Sequence, residues 1–379
     1  MITSISWIVV SFLMTIVIIL KQKGYTPVSG YGMALGGFVC WVVNTIAGPD
    51  YDPLTFEPEQ FMYILLPPIV LFSGLQFKWE HSYNTIGTSM TFAWLGTVGT
   101  AAWVALGIWT NTNVEPCIVC FWIGSILSPT DPVGTLDLMK HVEGHDDVRL
   151  VLEHESLLND AVAVMLVHTS QRAWTLQRQI TKSESMEIIA VALGLAMVSF
   201  CVGAFSGWVV SKKQTPPLVI VCGMFIFSLC ETLGASGIIS LFVYGAVLSA
   251  IGVDDKTFQT IRYISELSET YVYVTMGGVL TMVDLRYLYM GYTVLIACVV
   301  GRIINIFLFG YLVQLGGVKW KCKELIFMSS CGMRGAVSLA LAVYTPEPYK
   351  SMFVTVTIME VVFSMFYTTV MNYCLIHIL

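Results

Sequence analysis

Asn159 and Asp160 stand side by side in an apolar stretch that runs from Val151 to Val167. A carboxylate at membrane depth costs on the order of 3 kcal/mol, so it is kept where something is gained from it. The chemistry that fits is a cation bound in exchange for a proton. At helical spacing Asp160 shares a face with Ser156, and Asn159 shares one with Glu155. Together they offer an anionic oxygen, an amide oxygen and a hydroxyl near one point, a set that suits a hard monovalent cation at Asp160, with Na+, K+ and Li+ left open. The same residues also read as a polar patch satisfied by neighbouring helices.

The ionisable residues away from loops and segment ends are Asp131, Glu155, Asp160, Glu231, Glu269, Arg302, Arg334 and Glu360. Each has a purely structural reading as half of an ion pair that fixes helix register. Glu153 and Arg149 lie nearer an inner end and are expected to snorkel. Ten cysteines are scattered through apolar segments without disulfide or zinc spacing and read as small packing residues. Cys117 and Cys120 form a CxxC, but no second pair stands near it. His141, His145 and His154 fall near an inner loop, where His141 and His145 read as solvated or as pH-responsive. His168 reads as interfacial. No metal constellation or cofactor motif emerges, and no basic run suggests nucleic acid.

The elements that must position these groups follow from composition. The chain has 379 residues, 56% hydrophobic and 12% charged, where a soluble domain carries about a quarter charged. Its polar residues collect into short connectors between long apolar runs, which makes it an all-α polytopic membrane protein. About thirteen spans are expected, near 2–20, 28–47, 59–77, 85–110, 116–139, 148–171, 187–211, 217–233, 236–252, 259–282, 288–315, 323–345 and 351–375. The weakest boundary is at Leu233-Gly234, where Gly234, Ala235 and Ser236 leave little room for a loop. Lys21 and Lys23 follow the first span and no cleavage site is seen, so a retained helix with an outside N-terminus is expected.

Alternation from that N-terminus puts Lys21, Lys23, Lys78, Lys140, Arg149, Lys212, Lys213, Lys256, Lys319, Lys321 and Lys323 inside. The outer connectors carry Arg172, Arg178, Lys182, Arg286 and Lys350, with an acidic loop of Asp50, Asp52, Glu57 and Glu59. The C-terminus is then cytoplasmic, and residues 1–379 form one transmembrane domain.

Two spans are interrupted. Ser128-Pro129-Thr130-Asp131-Pro132-Val133-Gly134 breaks the fifth, because Pro132 removes a backbone donor and pushes Asp131 away from helical geometry. Cys331-Gly332-Met333-Arg334-Gly335 breaks the twelfth with an arginine between glycines. Irregular backbone at such depth survives only where it lines a cavity or is buried in protein. If spans two to six repeat as nine to thirteen in inverted orientation, the two broken helices become equivalent and cross, as in secondary transporters.

Four strings, in order, then carry a resemblance: Leu65-Leu66-Pro67-Pro68, Ser128-Pro129-Thr130-Asp131-Pro132, Glu155-Ser156-Leu157-Leu158-Asn159-Asp160 and Gly332-Met333-Arg334-Gly335-Ala336. They resemble the Na+/H+ exchanger family of monovalent cation/proton antiporters, in its electroneutral Asn-Asp branch, over nearly the whole chain. The resemblance implies the Na+/H+ antiporter fold, with Asp160 as ion-binding and proton-carrying aspartate and Asn159 as its partner. It implies Thr130 and Asp131 at the unwound crossing, Ser156 as a further ligand, and Glu155 with Arg302 as a buried ion pair. It also implies that Arg334 offsets the helix carbonyl ends and the Asp131 charge, and that Glu269 matches a family position.

By the same resemblance the partners are monovalent cations, protons and the lipid bilayer. A homodimer is implied, and the plasma membrane is expected before an endomembrane. Phe72 stands where the family usually has an acidic or amide residue, with Ser73 beside it, and Glu360 has no family counterpart. A regulatory tail, common in eukaryotic members, is not expected here. Two rivals stand against exchange: a cation channel, which lacks a carbonyl-filter string, and an intramembrane aspartyl protease using Asp131 and Asp160, which lacks the Gly-rich context. An enzyme is not expected.

Overall fold

The computed structural model describes residues 2–22, 28–47, 54, 57–77, 79, 85–112, 114, 117–131, 145–175 and 182–375. Lys23, Asp50, Asp52, Lys78, Pro132, Val133, Gly134, Lys140, His141 and Arg178 lie outside the described residues. The described chain is helical, without a strand among its described residues, and a helix meets each of the thirteen expected spans. Among the described residues three stretches are long and apolar enough to cross a membrane by length and composition: Ile86–Asn111, Leu285–Leu315 and Lys350–Thr368. Seven shorter apolar helices accompany them. The helices Leu66–Leu75 and Thr97–Asn111 are each preceded by a π-helical turn, at Phe61–Leu65 and Phe92–Gly96.

The chain divides into two compact units. The first comprises Met1–Pro58, Thr85–Ala163 and Thr270–Leu379; the second comprises Glu59–Asn84 and Val164–Glu269. In the first unit a core of Phe92, Val148, Val151, Leu152, Ile306, Leu325, Phe327, Met328 and Cys331 fixes the start of the helix Asp146–Thr175. A second core gathers Val10, Leu13, Val17, Cys40, Leu54 and Val274. The turn after Met282 is tied down by Asp284, whose N–H donates to Thr355 Oγ1 at 2.9 Å and whose Oδ2 accepts from Ser351 at 3.2 Å. Hydrogen bonds from Arg286 hold the half-buried Asp284 carboxyl down at about 2. With that carboxyl depressed below its ordinary range, its ion pair with Arg286 is complete at neutral pH and is lost as pH falls through about 2.

In the second unit the crowded boundary after Thr232 is solved by glycine. Gly234 adopts φ +74°, and Ala235 N–H donates back to Cys230 O at 2.8 Å, closing the helix Pro216–Thr232 without a loop. The next helix, Gly237–Ile251, starts at once, with the Ser236 hydroxyl accepting from Ile239 N–H at 3.3 Å. Glu231, one of the ionisable residues in the membrane, accepts from Gly237 N–H at 2.8 Å and so caps that helix start. Its structural reading is the one with geometry behind it.

Candidate functional site

Both interrupted spans lose their helix at the glycines, prolines and polar residues that predict it. The helix Cys117–Ile126 ends as the Ser128 hydroxyl donates to Ser125 O at 2.7 Å, and the chain from Ser128 to Asp131 is non-helical. The other span divides into the helices Cys322–Ser330 and Ala336–Val343, with Cys331–Gly335 between them. The two breaks meet. Asp131 N–H donates to Met333 O at 2.7 Å, and a methyl group at Gly335 would stand 2.5 Å from Asp131 Oδ2. Gly335 is extended, at φ −133°, so its glycine serves close approach and not an unusual backbone angle.

Against this crossing lies the polar face of the helix Asp146–Thr175. Ser156 Oγ donates to Thr130 O at 2.5 Å, and Asn159 Nδ2 donates to Thr130 Oγ1 at 2.6 Å. Ser156 and Asn159 are buried, while Asp160 keeps partial exposure. Asn159 Oδ1 makes no hydrogen bond among the described residues although it is buried. Asp160 stands one turn beyond Ser156 and next to Asn159 on the same helix. Thr130, Asp131, Ser156, Asn159 and Asp160 therefore form one group of oxygens drawn from the broken helix and the intact helix beside it. Hydroxyl, carbonyl, amide and carboxylate oxygens in one place suit a hard cation.

Glu155 points to the other stripe of the same helix and is gripped at both oxygens by Arg302. Arg302 Nη2 lies 3.0 Å from Glu155 Oε2, and Nη1 pairs with Oε1. The same guanidinium group reaches Met328 O at 3.3 Å and Cys331 O at 3.4 Å, the carbonyl end of the helix Cys322–Ser330. Arg302 thus supplies hydrogen bonds to carbonyls at the end where the resemblance set Arg334. Arg334 faces Glu360, with Nε 4.0 Å from Oε1, and its backbone N–H donates to Ser364 Oγ at 2.9 Å. The reason is position: Arg334 lies inside the break, one residue beyond the Met333 carbonyl, where the neighbouring element is the helix Lys350–Leu375.

One participant escaped sequence reasoning. The Tyr273 hydroxyl donates to Asp131 Oδ2 at 2.8 Å from the helix Asp255–Val279. Nothing in its local string separates it from the other sixteen of the seventeen tyrosines. Glu269, four residues earlier on that helix, is part-exposed and belongs to the second unit. Phe72 is also in the second unit, its ring 5.5 Å from that of Phe258, and Ser73 turns its hydroxyl onto Ile69 O at 3.0 Å. His145 departs from a solvated connector: its side chain is 17% exposed and lies 3.8 Å from Glu324. His154 is buried and His168 is exposed.

With this geometry in hand, the chain can be set beside known proteins. The family model described as sodium/hydrogen exchanger, transmembrane, matches residues 8–373. Sodium/hydrogen exchanger 9 of Rattus norvegicus is 26% identical over 354 residues, covering 83% of this chain and 54% of that protein. Sodium/hydrogen exchanger 5 of Arabidopsis thaliana is 26% identical over 393 residues, covering 93% of this chain and 74% of that one. The chain spans about half the length of most of the curated relatives it matches. In fold it is similar to the sodium proton antiporter MjNhaP1 from Methanocaldococcus jannaschii at pH 8, with a TM-score of 0.75 at 18% identity, over 100% of this chain and 99% of that one.

Proposed function

The chain belongs to the transmembrane sodium/hydrogen exchanger family, and from that premise we propose that it exchanges a monovalent cation for a proton across a membrane, with Asp160 binding the two in competition. The observation that carries this reading is the oxygen cluster at the helix crossing. Thr130 is held by both Ser156 and Asn159, and Asp160 follows on the same helix. Asp131 has its carboxylate engaged by Tyr273 and its N–H by Met333, whereas Asp160 makes no hydrogen bond among the described residues. Asp160 is thus the carboxylate left to take a cation or a proton.

Alternating access follows from charge. A bare carboxylate resists passage through an apolar barrier, and either a proton or a cation cancels its charge. If the barrier is low only for the neutralised site, each crossing returns the other ion. No covalent bond is made or broken, so this is transport and not catalysis. Na+ is the proposed cation, with K+ and Li+ as the alternatives, and the resemblance extends the reading to a homodimer in the plasma membrane.

Stoichiometry rests on Asn159. Its amide is neutral, so one carboxylate exchanges one cation for one proton and no net charge moves. Proteoliposomes carrying the protein should acidify or alkalise in response to a cation gradient, and the rate should be the same with the membrane voltage clamped at zero or at either sign. A transport current that reverses with voltage would overturn electroneutral exchange. Running the assay with Na+, K+ and Li+ in turn identifies the cation, and no response to any of the three would overturn the function itself.

A further inference from the structure

Glu360 takes no part in the exchange reading, yet it is 2% exposed in the middle of the helix Lys350–Leu375. It faces Arg334, which is 1% exposed, across 4.0 Å, too far for a direct hydrogen bond. Arg334 Nε and Nη1, Glu360 Oε2 and the neighbouring Arg302 Nε all lack a hydrogen-bond partner among the described residues. Buried charged groups left this way are costly. All three side chains border one cavity of about 20 Å³, measured as the space open to the centre of a water, whose lining includes Cys298, Ser364 and Tyr367. A polar cavity holds a water when it offers roughly 10–15 Å³ on this measure and two to four polar partners. An apolar void of the same size would stay dry. This one meets both conditions.

We propose that the cavity binds a water bridging Arg302, Arg334 and Glu360, and that Glu360 is thereby a positioning residue for the cation site. Two routes lead from Glu360 to the oxygen cluster. Along the backbone, Arg334 is fixed by Glu360 and Ser364, the adjoining Met333 O receives Asp131 N–H, and Asp131 follows Thr130, which holds Ser156 and Asn159. Through the water, Arg334 joins Arg302, and Arg302 grips Glu155 on the helix that carries Asp160. The charges along this second route are Glu155, Arg302, Arg334 and Glu360, and they sum to zero. Removing the Glu360 charge shifts this route by one positive charge beside the crossing, which opposes a cation bound at Asp160. This inference rests on the reading of Asp160 as the cation site.

The test compares Glu360→Gln and Glu360→Asp with wild type in the full chain, reconstituted in proteoliposomes. Glu360→Gln keeps the size and removes the charge. Its apparent KM for Na+ should rise on the order of tenfold, the effect of one unit charge acting through protein of effective dielectric about 20, while the maximal rate changes by less than about threefold. Glu360→Asp restores the charge, and the water takes up the missing methylene, so its KM should return to within about threefold of wild type.

An unchanged KM in Glu360→Gln, or a Glu360→Asp that behaves like Glu360→Gln, would overturn the role. If Glu360→Gln does not fold, the KM of Glu360→Asp decides alone, a tenfold rise counting against the proposal. An experimental density map of the wild-type chain gives the readout that does not depend on transport. Density for a water within hydrogen-bond reach of Arg334 and Glu360 is expected, and a cavity without it overturns the bridge. Should wild type exchange no cation, the function fails on its own, and the map still judges the water.

Discussion

Asp160→Asn should abolish cation-dependent dissipation of a pH gradient in proteoliposomes and leave the protein folded. The substitution keeps the shape of the side chain and removes both the charge that holds a cation and the group that accepts a proton. Asp160 makes no hydrogen bond among the described residues and is only part-buried, so the change breaks no observed contact. Removing an unpaired carboxylate from a membrane helix is neutral or stabilising in the fold. Thermal unfolding in detergent should therefore match wild type or lie above it. Retained exchange would remove Asp160 from its role, and a collapse in melting temperature would show that the residue is structural.

Arg302→Ala should have the largest effect on stability. It leaves Glu155, 2% exposed, without its bidentate partner, and removes the Arg302 hydrogen bonds to the carbonyls of Met328 and Cys331. Breaking a buried pair from one side costs about 3–5 kcal/mol, a large part of the stability of an ordinary domain. Arg302→Lys keeps the charge but cannot grip two carboxylate oxygens and two carbonyls with a rigid fork, so it should fall between the two. Removing both partners, Glu155→Ala with Arg302→Ala, should cost less than Arg302→Ala alone, because no unpaired charge remains. Melting temperatures of the four proteins in one detergent measure this order. Equal melting of wild type and Arg302→Ala would contradict it.

Sequence alone made the spans and their interruptions legible, because both depend on local chemistry. Apolar length set the helices. The Gly-Ala-Ser run after Leu233 marked the hardest boundary, and there Gly234 turns the chain in the left-handed region that glycine reaches readily. The breaks at Ser128–Asp131 and at Cys331–Gly335 fall in the strings where prolines, glycines and a charge interrupt an apolar span. The Ser156 and Asp160 face followed from spacing alone.

Choice of partner was not legible, because it depends on which elements lie side by side. Arg302 and Arg334 are both buried arginines near one break, and only the fold shows that the first reaches the helix carbonyls and the second faces Glu360. Tyr273 donates to a residue 142 positions away, a distance across which no local pattern carries information. Phe72 remained puzzling in sequence for a similar reason. Its ring packs on Phe258, so at this position the chain carries an aromatic contact in place of a polar group.

The central claim is that cation and proton compete for Asp160. The most direct measurement is proton release when Na+ is added to the purified chain in weakly buffered detergent solution, followed with a pH indicator at a series of starting pH values. Competition at one carboxylate predicts release that saturates with Na+, never exceeds one proton per bound cation, shrinks toward zero at high pH where the site is already empty of protons, and is absent in Asp160→Asn. Na+ binding that releases no proton at any pH, or equal release from Asp160→Asn, would contradict it.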